Sequence, residues 1–185
     1  MSYRLYKHSD DESTNIGLNS IFSWSGVVQT NISTTNFQYV TFEKPLIGPI
    51  GSGWITLKSI GYIDPTIFVV PTSGYYLLTY KMDIMSGNNT SPLTINSNSV
   101  AVLTLNGVEI PGSTSLVEAP ETNHIYTISN TVLAQLNTGD LVSLLFWSPY
   151  VGTQIGDPSL VTGILPNGSV PNEATASISI TKISN

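Results

Sequence analysis

The residues able to do chemistry in this chain are few and far apart. There are two histidines, His8 and His124. One lies in the opening stretch and the other where a strand pattern begins, so a single chain forms no histidine cluster. Cysteine is absent, which excludes disulfides and thiolate metal sites. Serine is abundant, yet no Gly-x-Ser-x-Gly elbow occurs, and Gly51-Ser52-Gly53 reads as a turn. A Ser/His/acid triad would need His124 in a cleft, whereas a histidine at a strand end is ordinarily structural or superficial. Carboxylates for acid–base work on a glycosidic bond would come from Asp64, Asp83, Glu109, Glu118, Glu121, Asp140, Asp157 and Glu173. Their separation in space decides that chemistry, and no pair stands out along the chain. Asp10-Asp11-Glu12 is a short acidic run of the kind found in solvated tails. No Asp-rich loop offers the several oxygens that calcium takes, and no loop is built to cradle phosphate. Catalysis is therefore not expected, and no cofactor is assigned.

Aromatic residues give a binding alternative. Trp24, Trp54 and Trp147, with Tyr150 just after Pro149, have the flat apolar faces on which sugars stack in lectin-like sandwiches. The competing reading places Trp24 and Trp147 in the core or a subunit interface. Trp147-Ser148-Pro149-Tyr150 closes a strand pattern and is the best exposed candidate of the set.

Composition limits the partners. Six basic residues stand against twelve acidic ones, for a net charge of −6. Arg4, Lys7, Lys44, Lys58, Lys81 and Lys182 are scattered, whereas phosphate backbones are held by clustered cations. Charged residues make up only 10%, against about 25% in ordinary domains, so copies of this chain repel one another weakly. The opening MSYRLYKHSDDEST is polar and acidic where a signal peptide needs an apolar run. No stretch reaches the roughly 18 apolar residues of a membrane span. Synthesis in a cytoplasm without a cleaved signal is expected. On that expectation the sequons at Asn31, Asn89 and Asn167 do not meet the glycosylation machinery.

The elements that would position these residues are strands. Tyr76, Leu78, Tyr80, Met82 and Ile84 share one face of Gly74–Met85, with Thr79, Lys81 and Asp83 on the other, and Tyr75 and Leu77 at its start. That period of two marks a strand with one face in the core. Ala174, Ala176, Ile178 and Ile180 alternate with Thr175, Ser177, Ser179 and Thr181, giving one apolar face and one hydroxyl face. Ser99–Leu105 and Leu141–Trp147 are near-continuous apolar runs expected to be buried on both sides. Asn106-Gly107 between Leu105 and Val108 predicts a type I′ hairpin, whose two central residues need positive φ. Asn137-Thr138-Gly139-Asp140 is a second turn. Further strands are expected over 20–30, 37–42, 54–63, 66–70 and 124–136. Residues 1–18 read as a flexible tail or docking arm ahead of one domain at 19–185. Loops are expected at 86–98 and 150–172. About ten strands with Gly, Pro and Asn punctuation specify an all-β sandwich.

Four pieces in order then resemble the C1q/TNF-like jelly-roll superfamily. They are Phe68-Val69-Val70-Pro71-Thr72-Ser73-Gly74-Tyr75-Tyr76, Leu103-Thr104-Leu105-Asn106-Gly107, Leu136-Asn137-Thr138-Gly139-Asp140-Leu141-Val142, and the closing strand to Ile183. Within it, Leu105–Gly112 and Ala176–Ile183 are similar to bacterial members of the Bacillus spore exosporium, such as the C-terminal domain of its collagen-like glycoprotein and the basal-layer proteins. No Gly-x-y repeat occurs in this sequence, and the 150–172 loop is longer than in that pattern, so a stalkless relative is indicated. The resemblance implies an antiparallel jelly roll that forms homotrimers with other spore-layer or surface proteins as partners. It also raises calcium near the trimer axis, for which this sequence offers no loop. A carbohydrate- or receptor-binding module on the same scaffold, such as a phage tip or lectin-like domain, is the alternative.

Overall fold

Side-chain alternation and turn chemistry shape the long strands of the described residues. The computed structural model describes residues 20–26, 28–43, 53–85, 98–118, 125–156, 166 and 174–184. Thirteen strands occur among them: β1 (Ile21–Ser25), β2 (Gln29–Thr30), β3 (Gln38–Tyr39), β4 (Ile55–Leu57), β5 (Ile67–Val69), β6 (Gly74–Met85), β7 (Asn98–Leu105), β8 (Val108–Glu109), β9 (Ser115–Glu118), β10 (Ile125–Leu136), β11 (Leu141–Trp147), β12 (Gln154–Ile155) and β13 (Ala176–Ser184). Residues 1–18, His124 and most of the two long loops lie outside the described residues.

The first sheet is built on β6. Along one edge β10 pairs with it antiparallel over its full length, from Leu136 opposite Gly74 to Ile125 opposite Met85. Along the other edge β13 pairs as far as Ala176 opposite Met82, and β12 continues the edge at Ile84 and Met85. β1 and β2 lie outside β13 and β12. In the second sheet β11 is central. It takes β5 and β3 end to end on one edge and β7 on the other. β4 flanks β5, while β8 and β9 flank β7.

The core lies between the sheets. Tyr76, Leu78, Tyr80, Met82 and Ile84 of β6 and Ile178 and Ile180 of β13 meet Phe68, Leu103, Val142, Leu144 and Phe146 of the second sheet, all buried. Phe42 and Phe68 pack edge to face at 5.4 Å. Val102, Thr104 and Ser143 are buried too, so β7 and β11 are covered on both sides, as their unbroken apolar runs predicted. Tyr80 fastens the layers together. Its phenol donates to the carbonyls of Ser113 (2.8 Å) and Ala101 (3.2 Å) across the sandwich. Burial pushes its pKa up to about 12, so this buried donor stays protonated near neutral pH.

The hairpin is the one predicted: Asn106 has φ 53 and Gly107 φ 82. Gly74 opens β6 in a nearly extended conformation (φ 156). Its need for glycine is steric, since a Cβ there would lie 2.4 Å from the Ser184 carbonyl oxygen.

Several strands are shorter than the sequence suggests because side chains take over backbone bonds. The strand expected over 20–30 divides into β1 and β2. Opposite it, the Gln29 carboxamide both donates to the Thr41 carbonyl and accepts from its amide (3.0 and 2.7 Å). Of the expected 37–42 strand only β3 remains, and within it the Tyr39 amide donates to the Tyr62 hydroxyl. A turn closed from Tyr62 N to Ser59 O ends the expected 54–63 strand early. Within the predicted 150–172 loop, β12 adds a short strand, and β9 follows the Pro111-Gly112 turn, where the alternation was too brief to be read.

Candidate functional site

Among the described residues, the outer face of the first sheet carries several exposed apolar side chains. The register sets its rows: Leu133, Leu77 and Thr181; Thr131, Thr79, Ser179 and Phe22; Ser129, Lys81, Ser177 and Trp24. Alternation places these side chains outward because their neighbours fill the core. Six Ser and Thr residues lie in these rows, with Leu77, Leu133 and Phe22 and the neighbouring Tyr75, all four of the latter exposed. Thr79 and Thr131 bond across the strands at 3.0 Å.

Charge on this face cancels. Lys81 Nζ lies 2.8 Å from Asp83 Oδ2, and the Thr127 hydroxyl donates to Asp83 Oδ1 at 2.6 Å. Asp83 is 4% exposed, so its carboxylate is largely withdrawn from water. Other described charges lie off this face. Solvated sheet faces ordinarily carry scattered Lys and Glu, and charge is depleted at the centres of protein interfaces.

Beside the face runs an apolar groove of about 340 Å³ lined by Leu105, Val108, Ile110, Pro111, Leu133 and Ala134, with Glu109 and Gln135 as its polar members. Leu133 belongs to both the groove and the face, so the two surfaces are continuous.

The four aromatic candidates occupy three places. Trp24 stands on the outer face opposite Ser177. Trp54 packs against the core, edge to face with Tyr76 at 6.1 Å. Trp147 lies at the far end of β11, its indole N–H donating to the Thr34 carbonyl at 3.0 Å and its ring 6.4 Å from Phe37. Tyr150 follows in the next turn and is half-buried. The Ile55–Val69 and Val69–Leu141 pairings put Trp54 at the opposite end of β11 from Trp147, roughly 20 Å away at 3.3 Å per residue. Of the four, Trp147 and Tyr150 lie nearest along the chain, and Phe37 packs beside Trp147. Phe37, read only as the start of the expected 37–42 strand, was missed as a member of this group.

The loops at this end are fixed by Asn31, which is 1% exposed. Its carboxamide donates to the carbonyls of Ser148 (3.1 Å) and Tyr150 (2.7 Å), so the side chain is unavailable for modification in the folded chain. Among the described residues no three His, Cys, Asp or Glu side chains group closely enough to hold a metal ion. No helix among them is long and apolar enough to cross a membrane.

No family model matches the chain, and no curated protein matches it. Solved structures do. Murine APRIL at pH 8.0 superposes with a TM-score of 0.55 at 10% identity, over 89% of this chain and 98% of that one. Murine APRIL at pH 5.0 and at pH 8.5 gives 0.53 and 0.51, each at 11% identity with the same coverage. At such identities the likeness is one of fold. The two antiparallel sheets form a TNF-like jelly roll, as the four sequence pieces implied.

Proposed function

We propose that this chain is a non-catalytic, self-associating module that forms homotrimers through the outer face of the β10–β6–β13–β1 sheet and serves in a bacterial spore outer layer or a similar surface assembly. The observation that carries the reading is the cancelled charge of that face together with its exposed Leu77, Leu133, Tyr75 and Phe22. A face of this kind loses little by leaving water and gains the burial of apolar surface, about 25 cal/mol per Å². The continuous groove beside Leu133 gives each copy a second surface for its neighbour, and a face-to-edge contact that repeats must close into a ring or run on as a filament. The TNF-like fold, with the trimers that the C1q/TNF resemblance implies, favours closure at three.

The surface layer is supported by the Leu105–Gly112 and Ala176–Ile183 resemblances. Expression confined to sporulation agrees with it, and expression in growing cells only removes it. For the assembly itself, sedimentation equilibrium at micromolar concentration is expected to return three times the 19.9 kDa chain mass. A single-chain mass overturns the trimer.

A further inference from the structure

The Asn106-Gly107 turn is bound into the fold more tightly than a hairpin needs. The Asn106 side-chain amide donates to Asp140 Oδ1 at 2.9 Å, and its carbonyl oxygen accepts from the Leu141 amide at 2.9 Å. The Asn106 backbone N–H donates to the Leu141 carbonyl at 2.8 Å. Asp140 Oδ2 meanwhile accepts from the Asn137 amide at 2.7 Å. One carboxylate thus clamps the β7–β8 turn to the β10–β11 turn, although Asn106 and Gly107 are both exposed.

We propose that Asn106 is a deamidation site held latent by this clamp, and that its modification releases the clamp irreversibly. Asn-Gly is chemically prone to the reaction because glycine puts no side chain in the way, and nothing lies within 4 Å of where a Gly107 Cβ would be. In the reaction the Gly107 amide nitrogen, giving its proton to solvent base, bonds to Asn106 Cγ. The Cγ–Nδ2 bond breaks and ammonia leaves. Water then opens the cyclic imide at either carbonyl, yielding aspartate or isoaspartate with no change of oxidation state. Ring closure requires the carboxamide to swing onto Gly107 N. It must therefore abandon Asp140 and Leu141, and the turn must leave its left-handed conformation.

The product reverses the sign of the contact. Where an amide donated to Asp140, a second carboxylate now faces it, and like charges at that distance repel. The turn borders the groove formed by Leu105, Val108 and Ile110, so release loosens that edge of the sandwich. This inference does not depend on the trimer.

Peptide mass mapping of the full-length folded chain, incubated in mildly alkaline buffer, tests it. Conversion at Asn106 is expected to be about tenfold or more slower than in the same chain unfolded in urea, the factor set by losing one hydrogen bond to a charged group. Asp140→Ala is expected to raise the folded-state rate by a similar factor. Tyr80→Phe, which weakens the fold away from the clamp, leaves the rate unchanged. Equal folded and unfolded rates, no acceleration in Asp140→Ala, or equal acceleration in Tyr80→Phe each overturn the latch. Asn106→Asp, made directly, is expected to lower the thermal midpoint, and an unchanged midpoint overturns the release.

Discussion

Leu77→Glu is expected to divide the assembly into single folded chains. Leu77 lies on this charge-balanced face, opposite Leu133 on β10 and Thr181 on β13. Its side chain points away from the core and is 39% exposed in the isolated subunit. A carboxylate there is solvated in the monomer, so the sandwich has no reason to unfold. In the assembly it would be buried without a partner, because Lys81 is already held by Asp83. An uncompensated buried charge costs roughly 3–5 kcal/mol, or about two to four orders of magnitude in the dissociation constant. Sedimentation should show one-third of the wild-type mass with an unchanged far-ultraviolet spectrum. A Leu77→Glu protein that keeps the full mass would place the interface elsewhere.

Gly156→Ala is expected to give a large loss of stability. Gly156 ends β12 with φ 77, and its amide donates to the Asp83 carbonyl. A Cβ there would meet Thr175 Cγ2 at 2.1 Å and Cβ at 2.2 Å. Thr175 is 1% exposed and β-branched, so it cannot turn aside cheaply. Its hydroxyl and amide also bond the Ser25 carbonyl. Overpacking and the left-handed backbone together cost roughly 3 kcal/mol, or about 6–12 °C in thermal midpoint for a chain of this size. Gly152 provides the control. It has φ 90 with nothing within 4 Å, so Gly152→Ala should cost only the backbone term of roughly 1–2 kcal/mol. Equal midpoints for the two variants would show that β12 is not packed against Thr175 as described.

The core strands were legible because they repeat. Five alternating apolar residues on β6 and three on β13 leave one register that buries them, and a single Asn-Gly pair fixes the β7–β8 turn. Elements set by side-chain to backbone bonds were not legible. Nothing in the local pattern announces that Gln29 will satisfy Thr41 twelve residues later, or that Tyr62 will cap Tyr39. β12 is invisible for a similar reason, since two residues show no period. The candidate face was half-visible. Thr79, Lys81 and Asp83, with Tyr75 and Leu77, were read as the outward side of β6, and the hydroxyl row of β13 was plain. That they share one surface follows from the pairing of β6 with β13 and β10, which spacing along the chain does not contain. The aromatic residues drew attention by type, yet Trp54 belongs with the core and Trp24 with the sheet face. The clamp of Asn106 by Asp140 joins residues 34 apart, and only the meeting of two turns reveals it.

The central claim is that the charge-balanced face is covered in the native assembly, and a chain without cysteine allows that to be measured at one atom. Ser129 is exposed in the subunit and stands on β10 opposite Lys81, within the proposed contact. Asn36 is exposed in the loop before β3, away from it. Ser129→Cys should react with a maleimide far more slowly than Asn36→Cys, and should recover the faster rate when Leu77→Glu is added. Equal rates in the two single-cysteine proteins, with no response to Leu77→Glu, would show the face open to solvent and contradict the account.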